Sequence, residues 1–180
     1  MEPVGQPPVP ARSSLVSARL IMRPVPWDAV RAISGGSRLD DWAADYPGEA
    51  DVIIAGLLHD VGPAVADPAD QAWGHRQVVE RASGLVVGGI GFFGPPRESA
   101  EVEVGYGIVP SRQGRGYATE AVQAMLAMAW ADPRVTAVVA GTDPGNLASQ
   151  RVLGKAGFSR IASDGELRYR LSRPARSSRE

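Results

Sequence analysis

The 180-residue chain contains no cysteine. That excludes disulfides, thiolate metal sites and a cysteine acyl-enzyme together. Histidine is nearly as scarce. His59 and His75 are the only two, too few and too far apart to suggest a metal cluster, so no metal is expected. Each reads most simply as an ordinary surface or half-buried side chain. Lysine occurs once, at Lys155. No apolar run is long enough to span a bilayer. The start of the chain, with Pro3, Pro7, Pro8 and Pro10, lacks the apolar centre of a signal peptide. A cytoplasmic, soluble protein with no membrane partner is expected. The net charge of −1 favours no nucleic-acid partner.

What is present suits one globular domain. Hydrophobic residues make up 44% of the chain, enough at this length for a sizeable core. Residues 1–14 read as a flexible tail, 15–173 as a single domain and 174–180 as a frayed end, with fraying starting near Arg173. Charge is unevenly spread. Between Arg38 and Arg76 there is no Lys or Arg, and eight acids fall there, Asp40 to Asp70. This acidic stretch is either a solvated face or a cleft that draws a cationic acceptor.

Periodicity sets the element order. Arg19–Arg23 reads as a strand stopped by Pro24. Two short helices follow, Trp27–Ser34 and Asp51–His59. Trp73–Glu80 and Leu85–Phe93 read as a hairpin turning near Ser83-Gly84. Glu101–Val109 alternates, with Glu101, Glu103 and Gly105 on one face. Tyr117–Ala131 carries apolar residues at helical spacing. Val135–Ala140 is a buried-type strand, and Leu147–Ala156 a helix capped by Gly157. Phe158–Ile161 and Leu167–Leu171 close the chain as strands around a turn at Asp164-Gly165. This order describes a mixed α/β sheet with helices on both faces.

One segment carries chemistry. Arg112-Gln113-Gly114-Arg115-Gly116-Tyr117-Ala118 follows a strand and opens a helix. Such a turn points several backbone N–H groups at one spot, at the positive end of the helix dipole, and so makes an anion site. Its spacing fits neither a Walker A loop nor a dinucleotide fingerprint. Together with Asn146-Leu147-Ala148-Ser149 and Gly157-Phe158, the segment resembles the pyrophosphate loop of the GNAT acetyltransferase superfamily. Glu103-Val104-Gly105-Tyr106 and Gly116-Tyr117-Ala118-Thr119-Glu120-Ala121 resemble its RimJ/RimL-like branch. The resemblance implies a GNAT fold, a mixed, mostly antiparallel twisted sheet splayed at the coenzyme site. It implies acetyl-CoA as co-substrate and direct transfer of acetyl to a primary amine, on a peptide N-terminus or a small molecule.

Site residues follow from the same resemblance. The loop, Arg112 to Ala118, holds the pyrophosphate, with Arg112 and Arg115 adding charge. Ile108 and Val109 pair with the pantetheine arm, and a backbone N–H near Ile108 faces the developing oxyanion. Asn146 bonds the arm or serves as a helix N-cap; both roles are compatible. Glu103 is the expected general base, with Glu101 as competitor. The family's usual tyrosine acid is missing from the helix after Asn146, which leaves Ser149 or water to protonate the thiolate. Trp42, Asp45 and Tyr46 are the expected acceptor contacts, with ordinary packing an equal reading for the two aromatics. A non-catalytic acyl-CoA-binding sensor or regulatory module is the alternative function. The residues do not decide the oligomeric state, a homodimer included.

Overall fold

The computed structural model describes residues 13–62, 72–161 and 165–175. Eight strands form one sheet there: β1 (Leu15–Val16), β2 (Leu20–Pro24), β3 (Arg76–Glu80), β4 (Val86–Phe92), β5 (Glu101–Ile108), β6 (Ala137–Thr142), β7 (Ser159–Ile161) and β8 (Leu167–Ser172). The helices are α1 (Trp27–Ser34), α2 (Glu49–Val61), α3 (Tyr117–Ala131) and α4 (Leu147–Lys155), with a short 3-10 turn at Pro110–Arg112. Strand order across the sheet is β1-β2-β3-β4-β5-β6-β8-β7. Every neighbouring pair is antiparallel except β5 and β6.

Local residue choice accounts for these elements. Leu20 and Met22 alternate inward on β2, and Pro24 ends the strand because it cannot donate to the ladder. β3 and β4 are buried at every position, as central strands covered on both faces should be. On α3, Tyr117, Ala121, Met125 and Met128 or Ala129 recur at one-turn spacing and are buried. Fully burying a side chain of Met125's size contributes roughly 1.5–3 kcal/mol. This stripe joins Val102, Val104, Val138 and Leu153 in one core.

The feature that makes a site is a divergence. β5 pairs with β4 as far as Ile108, yet it meets β6 only from Glu101 to Glu103. β6 then continues along β8 to Thr142. Beyond Glu103 the two parallel strands separate and leave a wedge.

Several boundaries differ from the periodicity reading. The two-residue β1 is too short to carry a pattern. The hairpin strand begins at Arg76 rather than Trp73, because Ala72 and Trp73 form a turn and the chain bends at Gly74. Arg173 is anchored rather than frayed. Its guanidinium donates to the Val135 carbonyl at 2.7 Å, the Trp130 carbonyl at 2.8 Å and the Asp132 carbonyl, and it lies over the Trp130 ring. Residues 1–12, 176–180, Asp67, Asp70 and Asp164 lie outside the described residues.

Candidate active site

The glycine-rich loop closes one side of the wedge. Gly114 and Gly116 both take positive φ, 75° and 79°, a conformation that favours residues without a Cβ. Gly116 is the N-cap of α3, and no side chain caps that end. The first N–H groups of α3 therefore lack intrahelical partners where Gly116, Tyr117, Ala118 and Thr119 line a cavity of about 420 Å³. The opposite wall is one face of α4, carrying Ala148, Arg151, Val152 and Lys155. These four recur at i, i+3, i+4 and i+7, a single helical stripe. Two cations thus face a helix N-terminus across a cavity, an arrangement that fits a polyanion.

A buried carboxylate fastens the loop from below. Glu80 accepts the Tyr117 hydroxyl at 2.7 Å and the Ser83 hydroxyl at 2.5 Å. Arg112 and Arg115 approach the same carboxylate at 3.4 and 3.6 Å. The hydrogen bonds from Ser83 and Tyr117, aided by Arg112, hold Glu80 below the usual glutamate range. Arg19 clamps the loop from outside, donating to the Arg115 carbonyl at 2.8 Å and to Glu120 at 2.7 Å. Arg112 lines the cavity, whereas Arg115 does not.

On β5 the backbone directions alternate. The Val109 N–H points to β4 and donates to the Val87 carbonyl at 2.9 Å. Tyr106 and Ile108 therefore turn their backbone groups to the edge that β6 has left. Gln113 donates its amide to the Ile108 carbonyl at 2.8 Å. Ile108 lines the cavity. Val109 is buried and does not reach it, so the structure gives no support to a coenzyme contact there.

Asn146 is the N-cap of α4, its side chain accepting the Ser149 N–H at 3.0 Å. It also lines the cavity, so the cap and the site coincide. The Tyr106 and Ser149 hydroxyls are hydrogen-bonded at 2.8 Å. Burial pushes the Tyr106 hydroxyl above its ordinary value of 10.0, which keeps it protonated as a donor.

A second cavity, about 640 Å³, shares Tyr106, Gly107, Asn146 and Ser149 with the first. Its floor is bare sheet. Gly89 pairs with Gly107 and Gly91 with Gly105 across β4 and β5, and directly opposed residues share one face. A Cβ on Gly107 would meet only open space. Ile53, Ile54, Leu57 and Leu58 of α2 form one wall and Phe93 another. Among the described acids between Arg38 and Arg76, only Asp51 lines this cavity.

The remaining expected site residues lie elsewhere. Glu103 is held by Arg168, whose two terminal nitrogens donate at 2.6 and 3.2 Å. Glu101 pairs with Arg170 at 2.9 Å. Trp42 and Tyr46 are buried in edge-to-face contact, which supports the packing reading. Asp45 accepts both the N–H and the hydroxyl of Ser111 at 2.8 Å. None of these three lines either cavity. Arg151 and Lys155 are readable in the sequence as basic residues that accompany Arg112 and Arg115 in a basic phosphate corner. The paired glycines of β4 and β5 were visible in sequence only as composition. Among the described residues, no three His, Cys, Asp or Glu side chains come together as a metal site.

Comparison with known proteins agrees with this geometry. Residues 19–159 match the family model for the acetyltransferase (GNAT) domain. An uncharacterized N-acetyltransferase of Bacillus subtilis (strain 168), YjdG, is 35% identical over 81 residues, 45% of this chain and 48% of that protein. The match thus spans about half the length of this curated relative. The fold is similar to a GNAT-family acetyltransferase from Bacillus anthracis, with TM-score 0.61, 21% identity and coverage of 89% and 98% of the two chains. It is also similar to Mycobacterium smegmatis RimJ in complex with CoA-disulfide, with TM-score 0.57, 20% identity and coverage of 85% and 81%. With the loop, the splayed strands and the family model in agreement over most of its length, the chain belongs to the GNAT acetyltransferase family.

Proposed function

We propose that the protein is an acetyl-CoA-dependent N-acetyltransferase that passes acetyl directly to a primary amine. The observation that carries this reading is the meeting of two cavities at Tyr106, Gly107, Asn146 and Ser149. One has the chemistry for a coenzyme and the other the size for an acceptor. The coenzyme supplies the activated acetyl thioester. The α3 N–H groups, Arg112, Arg151 and Lys155 hold its phosphates. Asn146 and the free edge of β5 at Tyr106 and Ile108 align the arm. The hydrogen-bonded Tyr106 and Ser149 hydroxyls stand where a proton is needed on the departing sulfur. For the base, Glu103 lies in its Arg168 fork and His75 lines the acceptor cavity.

The acceptor cavity is mainly apolar. The favoured acceptor is a primary amine bearing an alkyl or aryl group, on a small molecule or a peptide N-terminus, rather than a polyamine. Asp41 pairs with Arg23 and Asp45 with Ser111, so the acidic stretch does not supply the cleft with a cluster of carboxylates.

The test is acetylation of an amine series by mass spectrometry with saturating acetyl-CoA: 2-phenylethylamine, spermidine and a Leu-initiated peptide. Product with the first or third supports the reading. Coenzyme binding with no acetylated amine overturns it in favour of a binding module.

A further inference from the structure

His75 and Asp51 form a buried pair in the wall of the acceptor cavity. His75 Nε2 lies 2.9 Å from Asp51 Oδ1, and the side chains are only 10% and 6% exposed. Three elements build the pair. Asp51 sits in the first turn of α2, where its other oxygen accepts the Gly48 N–H at 3.2 Å. His75 stands just before β3, and the β3–β4 register, Arg76 opposite Ile90, carries it opposite Gly91. Gly89 supplies the room. A Cβ there would lie 2.1 Å from Asp51 Oδ1 and 2.3 Å from His75 Nε2. Any side chain at that position displaces the pair. The bare sheet floor therefore accommodates an imidazole and its carboxylate beside the acceptor space.

An ionised Asp51 can only accept, so Nε2 carries the hydrogen and a neutral ring keeps its lone pair on Nδ1. A base oriented by a carboxylate in this way is suited to take a proton from a bound acceptor. Glu103 is less suited, because both its oxygens already accept from Arg168 and it lines neither cavity. Three other titratable groups line the acceptor space with His75: Asp51 from α2, Tyr106 from β5 and Asp143 after β6. β4 presents only Gly89, Gly91 and Phe92 there.

We propose that His75, oriented by Asp51, removes the proton from the acceptor ammonium. This rests on the acetyltransferase reading. The ammonium N–H bond breaks and its proton passes to Nδ1. The freed nitrogen pair forms the C–N bond to the acetyl carbon as the C–S bond breaks and its electron pair leaves on sulfur. The thiolate takes a proton from the Tyr106–Ser149 pair or from water, the second proton that the nitrogen sheds as it becomes an amide restores that donor, and the imidazolium returns its proton to solvent.

The test compares the full-length protein with His75→Gln, Asp51→Asn, Glu103→Gln and, as control for the only other histidine, His59→Gln. Turnover of the best amine in the series above is measured against pH at saturating acetyl-CoA. His75→Gln should lower turnover by about a hundredfold or more, leave the KM for acetyl-CoA unchanged and remove the fall in rate on the acid side. Asp51→Asn should act in the same direction. His59→Gln should leave rate and profile intact. A coenzyme-induced rise in melting temperature in every variant shows that each still folds. Retention of rate and profile in His75→Gln, or loss of the acid limb in Glu103→Gln instead, would overturn the assignment while leaving the acetyltransferase reading intact. Failure of the unmutated protein on every amine defeats that reading first. Nitrogen NMR of the CoA-bound protein gives a readout independent of turnover. It should show the Nε2–H tautomer of His75, lost in Asp51→Asn; the Nδ1–H tautomer would contradict the proposal.

Discussion

The hydroxyls of Tyr106 and Ser149, 43 residues apart, are hydrogen-bonded at 2.8 Å. They join β5 to α4 at the point where the two cavities meet. Under the proposed function this pair would take the part of the missing helical tyrosine, a pairing that linear spacing does not reveal.

Removing either hydroxyl should slow acetyl transfer more than it weakens coenzyme binding. Tyr106→Phe and Ser149→Ala are each expected to lower kcat by about tenfold or more, with the KM for acetyl-CoA little changed. The double variant should lose less than the product of the two, because both act through one hydrogen bond. Steady-state kinetics of the four proteins checks this. Multiplicative losses would mean that the two groups act independently.

Glu80 ties stability to pH. Glu80→Gln should cost about 1–3 kcal/mol at neutral pH, since a buried, multiply bonded charge is lost. The folded protein holds Glu80 below its ordinary value of 4.5. Its contribution is therefore full above that value and is lost as pH falls through the depressed folded one. Urea titrations from pH 7 to pH 3 should show the gap between wild type and variant narrowing with acidification. A constant gap would exclude the charge as the cause.

Arg151 and Lys155 should bind coenzyme phosphates. Replacing either by Ala is expected to weaken CoA about tenfold at low salt. The deficit should shrink as salt rises, because these groups are solvent-facing and screened. Calorimetric titration at two ionic strengths measures both effects.

Much of this arrangement was legible in the sequence. Tyr117–Ala131 shows its helical stripe directly, and Arg112–Ala118 announces a strand-loop-helix anion site by its glycines. Asn146 was readable as a cap. Long-range pairing was not legible. The alternation of Glu101 and Glu103 gives their face but not the Arg168 and Arg170 that meet them from β8. Trp42 and Tyr46, with acids nearby, look equally like a binding surface and a core. Only tertiary packing buries them. The His75–Asp51 pair depends on Gly89, 14 residues beyond His75 and 38 beyond Asp51, and no local pattern connects them.

Phe93 and Leu57 should set acceptor choice. Both are largely exposed, at 72% and 62%, and both line the acceptor cavity. Phe93→Ala and Leu57→Asp are expected to raise the KM for an aryl amine severalfold, by loss of apolar contact, without altering that for acetyl-CoA. An unchanged amine KM would place the acceptor elsewhere.

The central claim is that the coenzyme and acceptor cavities are continuous through Tyr106, Gly107, Asn146 and Ser149. It is tested most directly by the affinity of one molecule made to span both: CoA joined through its sulfur and an acetyl linker to the nitrogen of 2-phenylethylamine. Such a conjugate gains from two sites at the entropic cost of one. It should bind about a hundredfold more tightly than CoA in a calorimetric titration, and Phe93→Ala should reduce that gain while leaving the affinity for CoA itself unchanged. A conjugate that binds no better than CoA would contradict the claim.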